Sequence, residues 1–363
     1  MKLLSLDIYN FRNIEKAYLT FSPGLNFISG ENGAGKSSVL EAIHHLSTGN
    51  SFRTRHTKKI VRYDELHLSV RAELSSFSSL AIQKQNLKPT IVKINNDMVH
   101  SASELARYLP MQIIFDGLFQ IIDSGPTIRR NFLDWGLFHV EPSYHQVFSH
   151  YKKALSQRNR LLKIKSSDDK SFNAWELMMV ESGLALHRYR VNYLENLLPE
   201  FSNVASHLCP NLTMKINYQH GWGQSLPQIE PDALIKELLL SRGRDIELGH
   251  SSKGPHRADL RFYSDTHFAK ESLSRGQQKV VLIALKLAQG RLLSDSCLFL
   301  IDDLASELDN KTLEKICTHL TETKTQAILT TLDSDNPTFN KVSDKWFHAD
   351  DGNITEQSSK LLD

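Results

Sequence analysis

The sequence predicts an α/β fold, a body of strands and helices interrupted by an inserted α-helical arm that forms a second lobe. Three observations predict it. The apolar run "LNFIS" (25–29) passes through a glycine-rich loop into a pattern with apolar residues at Val39, Leu40, Ile43 and Leu46, which is helical spacing. Between about 127 and 205 turn residues thin out, and two long helical patterns, 143–165 and 172–200, flank the polar loop "SSDDKS". After 255 the alternation of strands and helices returns and ends in "CLFLI", a strand that empties into Asp302 and Asp303.

Residues 2–29 read as strands broken by a turn at Ser22-Pro23-Gly24. The alternating segments "LHLSVRAEL" (66–74) and "TIVKIN" (90–95) predict further strands in antiparallel pairing. The short loop between the two long helices implies an antiparallel pair, an arm projecting from the body. Residues 206–250 carry a Gly221-Trp222-Gly223 turn and a helix near 231–241. The last part gives "ADLRFY", a helix over 275–291, "CLFLI", a helix near 310–321, the strand "AILTT" and a final strand around His348.

Composition narrows the class. With 363 residues, 40% hydrophobic and 23% charged, the chain has material for a large core, and a net charge of +2 names no partner by itself. Cys209, Cys297 and Cys317 are far apart, which argues against a zinc site or a disulfide framework and fits a reducing compartment. The opening "MKLLSLDIYNFRN" turns polar by Asp7, too early for a signal peptide, and no stretch approaches the roughly 18 apolar residues of a membrane span. The expectation is a cytoplasmic protein that does not engage a membrane.

Gly30-Glu31-Asn32-Gly33-Ala34-Gly35-Lys36-Ser37, followed by Ser38, matches G-x-x-x-x-G-K-[ST] between a strand and a helix, the context this motif requires. Glycines let the backbone wrap closely, so that N–H groups and the helix dipole meet phosphate oxygens. Lys36 is then expected at the β and γ phosphates of ATP, and the Ser37 hydroxyl at Mg²⁺. The structural alternative, a glycine-rich turn opening a helix, does not account for the Lys-Ser pair.

"LSRGQQKVVLIALKLAQG" (273–290) has Ser274 at an N-cap position, Gly276 in the first turn, and an apolar face at Val280, Ile283, Ala284 and Leu287. Together with the phosphate loop it resembles the signature motif of ABC-type ATPases, in which a helix N-terminus of one subunit caps the γ-phosphate held by the other. Ser274, Arg275 and Gly276 are then expected at a dimer interface. Asp302 fits a Mg²⁺ ligand and Asp303 the general-base position, where glutamate is usual. "SELD" (306–309) falls at the interface-crossing D-loop, with Asp309 as its contact; helix capping is the structural alternative. The strand "AILTT" ends in Thr330, Thr331 and Leu332, without the histidine of many transporters of this class.

Assembled, these motifs resemble the RecF family, bacterial recombination-mediator ATPases of the SMC-like branch of ABC ATPases. The resemblance spans the chain through "IYNFRN", "SGENGAGKSSVLEAI", "GNSFRT", "SGPTIRRNFLDWG", "GPHRADL", "LSRGQQK" and "LIDDLASELD". An aspartate at 303 is that family's own form. Near 115 the chain departs, with "FDGLF" where the family tends to Pro-Glu, just after Gln112 at the Q-loop position. Lys253 likewise stands where relatives often have histidine. The resemblance implies an ABC-type P-loop ATPase head formed by 1–115 and 246–363, with an arm or lobe at 116–245. It also implies ATP-dependent homodimerisation on double-stranded and gapped DNA, slow DNA-stimulated hydrolysis, and loading of RecA with RecO and RecR in DNA repair, replication and the SOS response.

Two stretches are basic with no acids inside: 52–62, with Arg53, Arg55, Lys58, Lys59 and Arg62, and 143–167, with Lys152, Lys153, Arg158, Arg160, Lys163 and Lys165. Such segregation in a nearly neutral chain suggests phosphate contacts, though a solvated face gives the same pattern. In the second stretch the seam Tyr151, Leu155, Arg158, Leu162 turns most of the basic residues outward. Without aromatic-basic interleaving, the expected contacts are to backbone rather than base sequence.

An alternative reading is the nucleotide-binding subunit of an ABC transporter. That class predicts a short insert and a terminal histidine, whereas 237 residues separate Lys36 from Ser274 here. A structural SMC protein needs a far longer coiled coil, and a metabolic P-loop kinase lacks the Ser274 motif.

Overall fold

The computed structural model describes residues 1–54, 56–85, 88–99, 102–223, 229–293 and 297–357. The chain divides into two compact units: Met1–Leu118 with His207–Cys209 and Arg275–Asp363, and Phe119–Ser206 with Pro210–Ser274.

The first unit has two six-stranded sheets. One runs Asn353–Gln357, Lys345–Asp350, Leu25–Ser29, Ala327–Thr331, Leu298–Ile301, Met111–Ile114, parallel throughout except for the edge strand Asn353–Gln357. Strands covered on both faces have no polar side, and Leu298–Ile301 is buried at every position. The register aligns Ile301 with Ile114 and Leu329, and Thr331 with Ser29, so the chain leaves four strands at the same edge. The other sheet, antiparallel, is ordered Ile14–Thr20, Leu3–Phe11, His67–Leu74, Ser79–Gln85, Ile91–Ile94, Asp97–Val99. Its strands alternate buried and exposed residues, as one-sided packing requires.

Helix Lys36–Thr48 packs in the apolar core of this unit. Val39, Leu40, Ile43 and Leu46 join Leu6, Ile8, Leu68 and Val70 of the antiparallel sheet and Leu300 and Ile328 of the parallel one. At about 25 cal/mol per Å² of apolar surface, each such side chain contributes roughly 1.5–3 kcal/mol. The helix that leaves the phosphate loop is therefore anchored in the core along most of its surface.

In the second unit, Tyr144–Lys163 and Asp169–Leu208 are antiparallel: Arg158 meets Glu176, and the Tyr144 ring meets Tyr189, pairs equidistant from the connecting loop. The second helix continues beyond the expected end at 200, through Pro199, because Leu197, Phe201, Val204, Ala205 and Leu208 extend its buried stripe. The pair is not a bare arm. Helix Pro231–Leu248 packs on it, and Arg158 is buried between Glu176 and Asp245.

The expected boundary at 245 also moves. Strand Asp259–Ser264 pairs antiparallel with Met214–Gln219, in a three-stranded sheet with His267–Phe268, which draws 246–274 into the second unit. Alternation alone could not tell which sheet that strand joins.

Candidate nucleotide site

The phosphate loop begins directly after Leu25–Ser29. Gly30 has φ +146°, and a β-carbon there would lie 2.3 Å from the Ala349 carbonyl oxygen, so only glycine passes between the two strands. The loop closes on helix Lys36–Thr48 through Gly35, and no side chain caps that helix among the described residues. Its first N–H groups and the positive end of its dipole are left for an anion.

Lys36 folds back over the loop and donates to the carbonyls of Gly30 (2.6 Å) and Glu31 (2.8 Å). Burial pulls its ammonium below the ordinary lysine value, while Asp302 and Asp303 act in the opposite sense. The Ser37 hydroxyl donates to Asp302 Oδ1 at 2.8 Å, joining the loop to the end of Leu298–Ile301. Thr330, one strand over, donates to the same oxygen at 2.7 Å and accepts the Asp303 N–H at 2.9 Å.

Asp303 occupies the left-handed region with φ +51°, uncommon for a residue with a side chain. Burial raises its carboxyl above the ordinary aspartate value, opposed by Lys279 and reinforced by Asp302 and Asp116. Ser37 and Asp302 supply hard oxygen donors already facing one another, a set that suits Mg²⁺, which keeps its remaining positions for water and phosphate.

Two motifs quoted from the sequence without a role prove to hold the loop. In "IYNFRN", Asn13 donates to the Gly33 carbonyl (3.0 Å) and accepts from Ser38 (3.0 Å). Arg12 forks onto the fully buried Glu41 of the loop's helix with bonds of 2.9 and 2.7 Å, and donates to the Lys59 carbonyl. Ser51 of "GNSFRT" donates to the same Glu41. A cavity of about 700 Å³ opens beside this arrangement, bordered by Arg12, Asn13, Ser38, Lys58, Arg62 and Tyr63.

Gly30 through Ser38, Asp302 and Asp303 lie together at one end of the parallel sheet. Gln112 does not join them. It is buried within strand Met111–Ile114, donates to Gln289 (2.7 Å) and accepts from Lys286 (2.8 Å), and the register sets it two residues back from the end that meets Asp302. From the following segment Asp116, which sequence pattern missed because it sits in the departure "FDGLF", acts electrostatically on Asp303. Thr330 and Lys279 were missed too, since nothing local marks either as touching the aspartates.

Ser274 directly precedes helix Arg275–Arg291, which contains Gly276 in its first turn. Asp309 caps helix Asn310–Glu322: one oxygen accepts the Thr312 N–H and the other its hydroxyl, both at 2.9 Å. The capping alternative describes this carboxylate within its own subunit.

Arg53, Lys58 and Lys59 are exposed, Arg62 pairs with Glu15, and Arg55 lies outside the described residues. Lys152, Lys153 and Arg160 are exposed on helix Tyr144–Lys163, whereas Arg158 is entirely buried. "SGPTIRRNFLDWG" and "GPHRADL" meet inside the second unit: Arg129 pairs with Asp259, and Arg130 donates to the carbonyl of Ala258. These motifs fasten one helix to one strand and its preceding turn.

A parallel sheet with a phosphate loop and an acidic strand end, a flanking antiparallel sheet and a helical insertion define a head of the ABC type. The chain matches the model of the RecF/RecN/SMC N terminal domain over residues 2–354. It is 34% identical to the DNA replication and repair protein RecF of Pseudomonas putida (strain W619), over 98% of both chains. It is also 34% identical to the RecF of Pseudomonas aeruginosa (strain LESB58), over 99% of both. Among solved structures it resembles the recombination mediator protein RecF-ATP of the RecFOR pathway, with TM-score 0.86, 27% identity, and coverage of 98% of this chain and 97% of that one. An Smc head bound to the C-winged helix domain of ScpA shares the fold at TM-score 0.62 and 15% identity, over 99% of this chain and 98% of that one. The chain belongs to the RecF family within the RecF/RecN/SMC N-terminal domain group.

Proposed function

We propose that the protein is an ATP-dependent DNA clamp of recombinational repair and replication-fork recovery, acting in the cytoplasm. The observation that carries this reading is the junction of Ser37, Asp302 and Thr330 beside a phosphate loop with Lys36 folded over it. That junction lies in a chain similar along its length to a RecF described with ATP.

In this reading Lys36 leaves the Gly30 and Glu31 carbonyls for the β and γ phosphates, and the cavity beside Asn13 and Ser38 takes the nucleoside. Ser37 and Asp302 would hold Mg²⁺, which would neutralise phosphate charge when bound. Thr330 keeps Asp302 turned toward Ser37, and Asp303 takes the proton of the attacking water. Aspartate is one methylene shorter than glutamate, so its carboxylate reaches the water only after a second subunit closes the site. Hydrolysis is then slow and DNA-stimulated, and ATP lifetime sets how long the clamp holds.

Ser274 to Gly276 meet the partner's γ-phosphate across a two-fold axis. Exposed Arg53, Lys58, Lys152, Lys153 and Arg160 contact the backbone of double-stranded DNA and of gap junctions, where RecR and RecO join in loading RecA.

The test is to size the protein alone, with ATP, and with ATP and duplex DNA. ATP is expected to produce a dimer, and Ser274→Arg to keep ATP affinity while losing the dimer. No dimer under any condition, or equal loss of ATP affinity in Lys36→Ala and Ser274→Arg, contradicts the clamp.

A further inference from the structure

We propose that Lys279 is a positioning residue through which the signature helix sets the geometry of Asp303 in its own subunit, so that closure of that helix on a partner's nucleotide turns on hydrolysis at home. The inference rests on the ATP-clamp reading and adds to it a residue and a direction of control.

Lys279 lies in the second turn of helix Arg275–Arg291 and is 6% exposed. Its ammonium donates to the carbonyls of Asp303 (3.1 Å) and Ser306 (2.6 Å), the two ends of the turn that follows the acidic strand. The Asp303 carbonyl also accepts the Ser306 N–H at 3.3 Å, and the Asp303 N–H is held by Thr330. Both peptide groups flanking the left-handed residue are therefore fixed, and of these anchors only Lys279 comes from the signature helix. The start of that helix lies against the same turn, since a β-carbon on Gly276 would come within 2.9 Å of the Glu307 carbonyl oxygen.

A lysine used to neutralise carboxylates would hydrogen-bond to them. Here the carboxylates of Asp303, Glu307, Asp116 and Asp302 all favour its charge, yet its two hydrogen bonds go to main-chain oxygens. The arrangement acts on backbone conformation. An ammonium buried against two carbonyls is a short, stiff link, so a small shift of the helix moves the carbonyl of the residue that carries the base. Misplacing a reacting group by about 1 Å costs on the order of 10²-fold in rate. The helix that reads the neighbour's γ-phosphate thereby governs the aspartate facing its own.

The experiment uses the full chain with Lys279→Met, Lys279→Gln and Lys279→Arg, measuring ATP affinity, ATP-induced dimerisation, and kcat and KM with duplex DNA. Lys279→Met is expected to lower kcat about 10²-fold while KM, ATP affinity and the dimer stay within about twofold. Lys279→Gln, with fewer donors, falls between, and Lys279→Arg restores kcat to within about tenfold of the parent. Unchanged kcat in Lys279→Met overturns the inference, as does a loss of kcat and ATP affinity in proportion, including through misfolding of both Met and Gln variants. Failure of the unaltered chain to bind ATP or dimerise overturns the clamp reading itself, and the inference with it.

Discussion

In the second unit Arg158 is sealed from solvent with each of its nitrogens engaged: Nε on Glu176, one terminal nitrogen on Asp245 and Ser251, the other on the Leu238 carbonyl. In the first unit Asp303 is half-buried in a left-handed conformation, and no hydrogen bond to its carboxylate is present among the described residues. Both residues are charges withdrawn from water, but one is fully compensated and the other is kept short of partners. Compensation is what a core requires. An uncompensated carboxylate with its pKa pushed up is what a proton-accepting site requires, and it is tolerated because the surrounding backbone is held by Thr330 and Lys279.

Breaking the compensated cluster has the largest expected effect. Arg158→Met leaves the fully buried Asp245 without its cation, costing about 3–5 kcal/mol. Urea unfolding followed by circular dichroism measures it, and a change near zero would mean that solvent reaches the cluster. Thr330→Val should cost less, about 1–3 kcal/mol, because it strands the Asp303 N–H and leaves Ser37 as the remaining donor to Asp302 Oδ1. It should also slow ATP hydrolysis roughly tenfold, visible in a steady-state assay.

Asp303→Asn sharpens the contrast through pH. The folded-state pKa of Asp303 lies above its ordinary value of 3.8, so between the two values the folded state binds more proton than the unfolded one. Stability from this group is therefore lost as pH rises through that window. Asp303→Asn should melt above the parent at neutral pH, with the gap closing toward pH 3.8, as scanning calorimetry across pH would record. A gap that widens on acidification would mean that the carboxylate is stabilised by a partner. Replacing exposed Lys58 has the smallest effect: a change of about 0.9 in the slope of log affinity for DNA against log salt, read by fluorescence anisotropy.

Local pattern revealed the uncompensated site better than the compensated one. Gly30 to Ser37 and the strand ending at Asp302 are each contiguous runs that match a defined residue pattern, so they were readable. Helix Arg275–Arg291 was readable from its apolar period. The seam Tyr151, Leu155, Arg158, Leu162 already turns Arg158 inward, but its partners Glu176 and Asp245 come from distant helices that no spacing rule links. Gln112 failed for the same reason, its partners being Lys286 and Gln289 on a distant helix. The segment 246–274 went to the wrong unit because strand pairing between Met214–Gln219 and Asp259–Ser264 is a long-range choice.

The central claim, that ATP closes a clamp whose lifetime Asp303 sets, meets its most direct test in Asp303→Asn with ATP and duplex DNA. The account predicts a persistent ATP-bound dimer on DNA, with hydrolysis reduced by about 10²–10⁴-fold, the contribution expected of a general base. Hydrolysis at the parent rate, or an ATP-bound protein that stays monomeric on DNA, contradicts it.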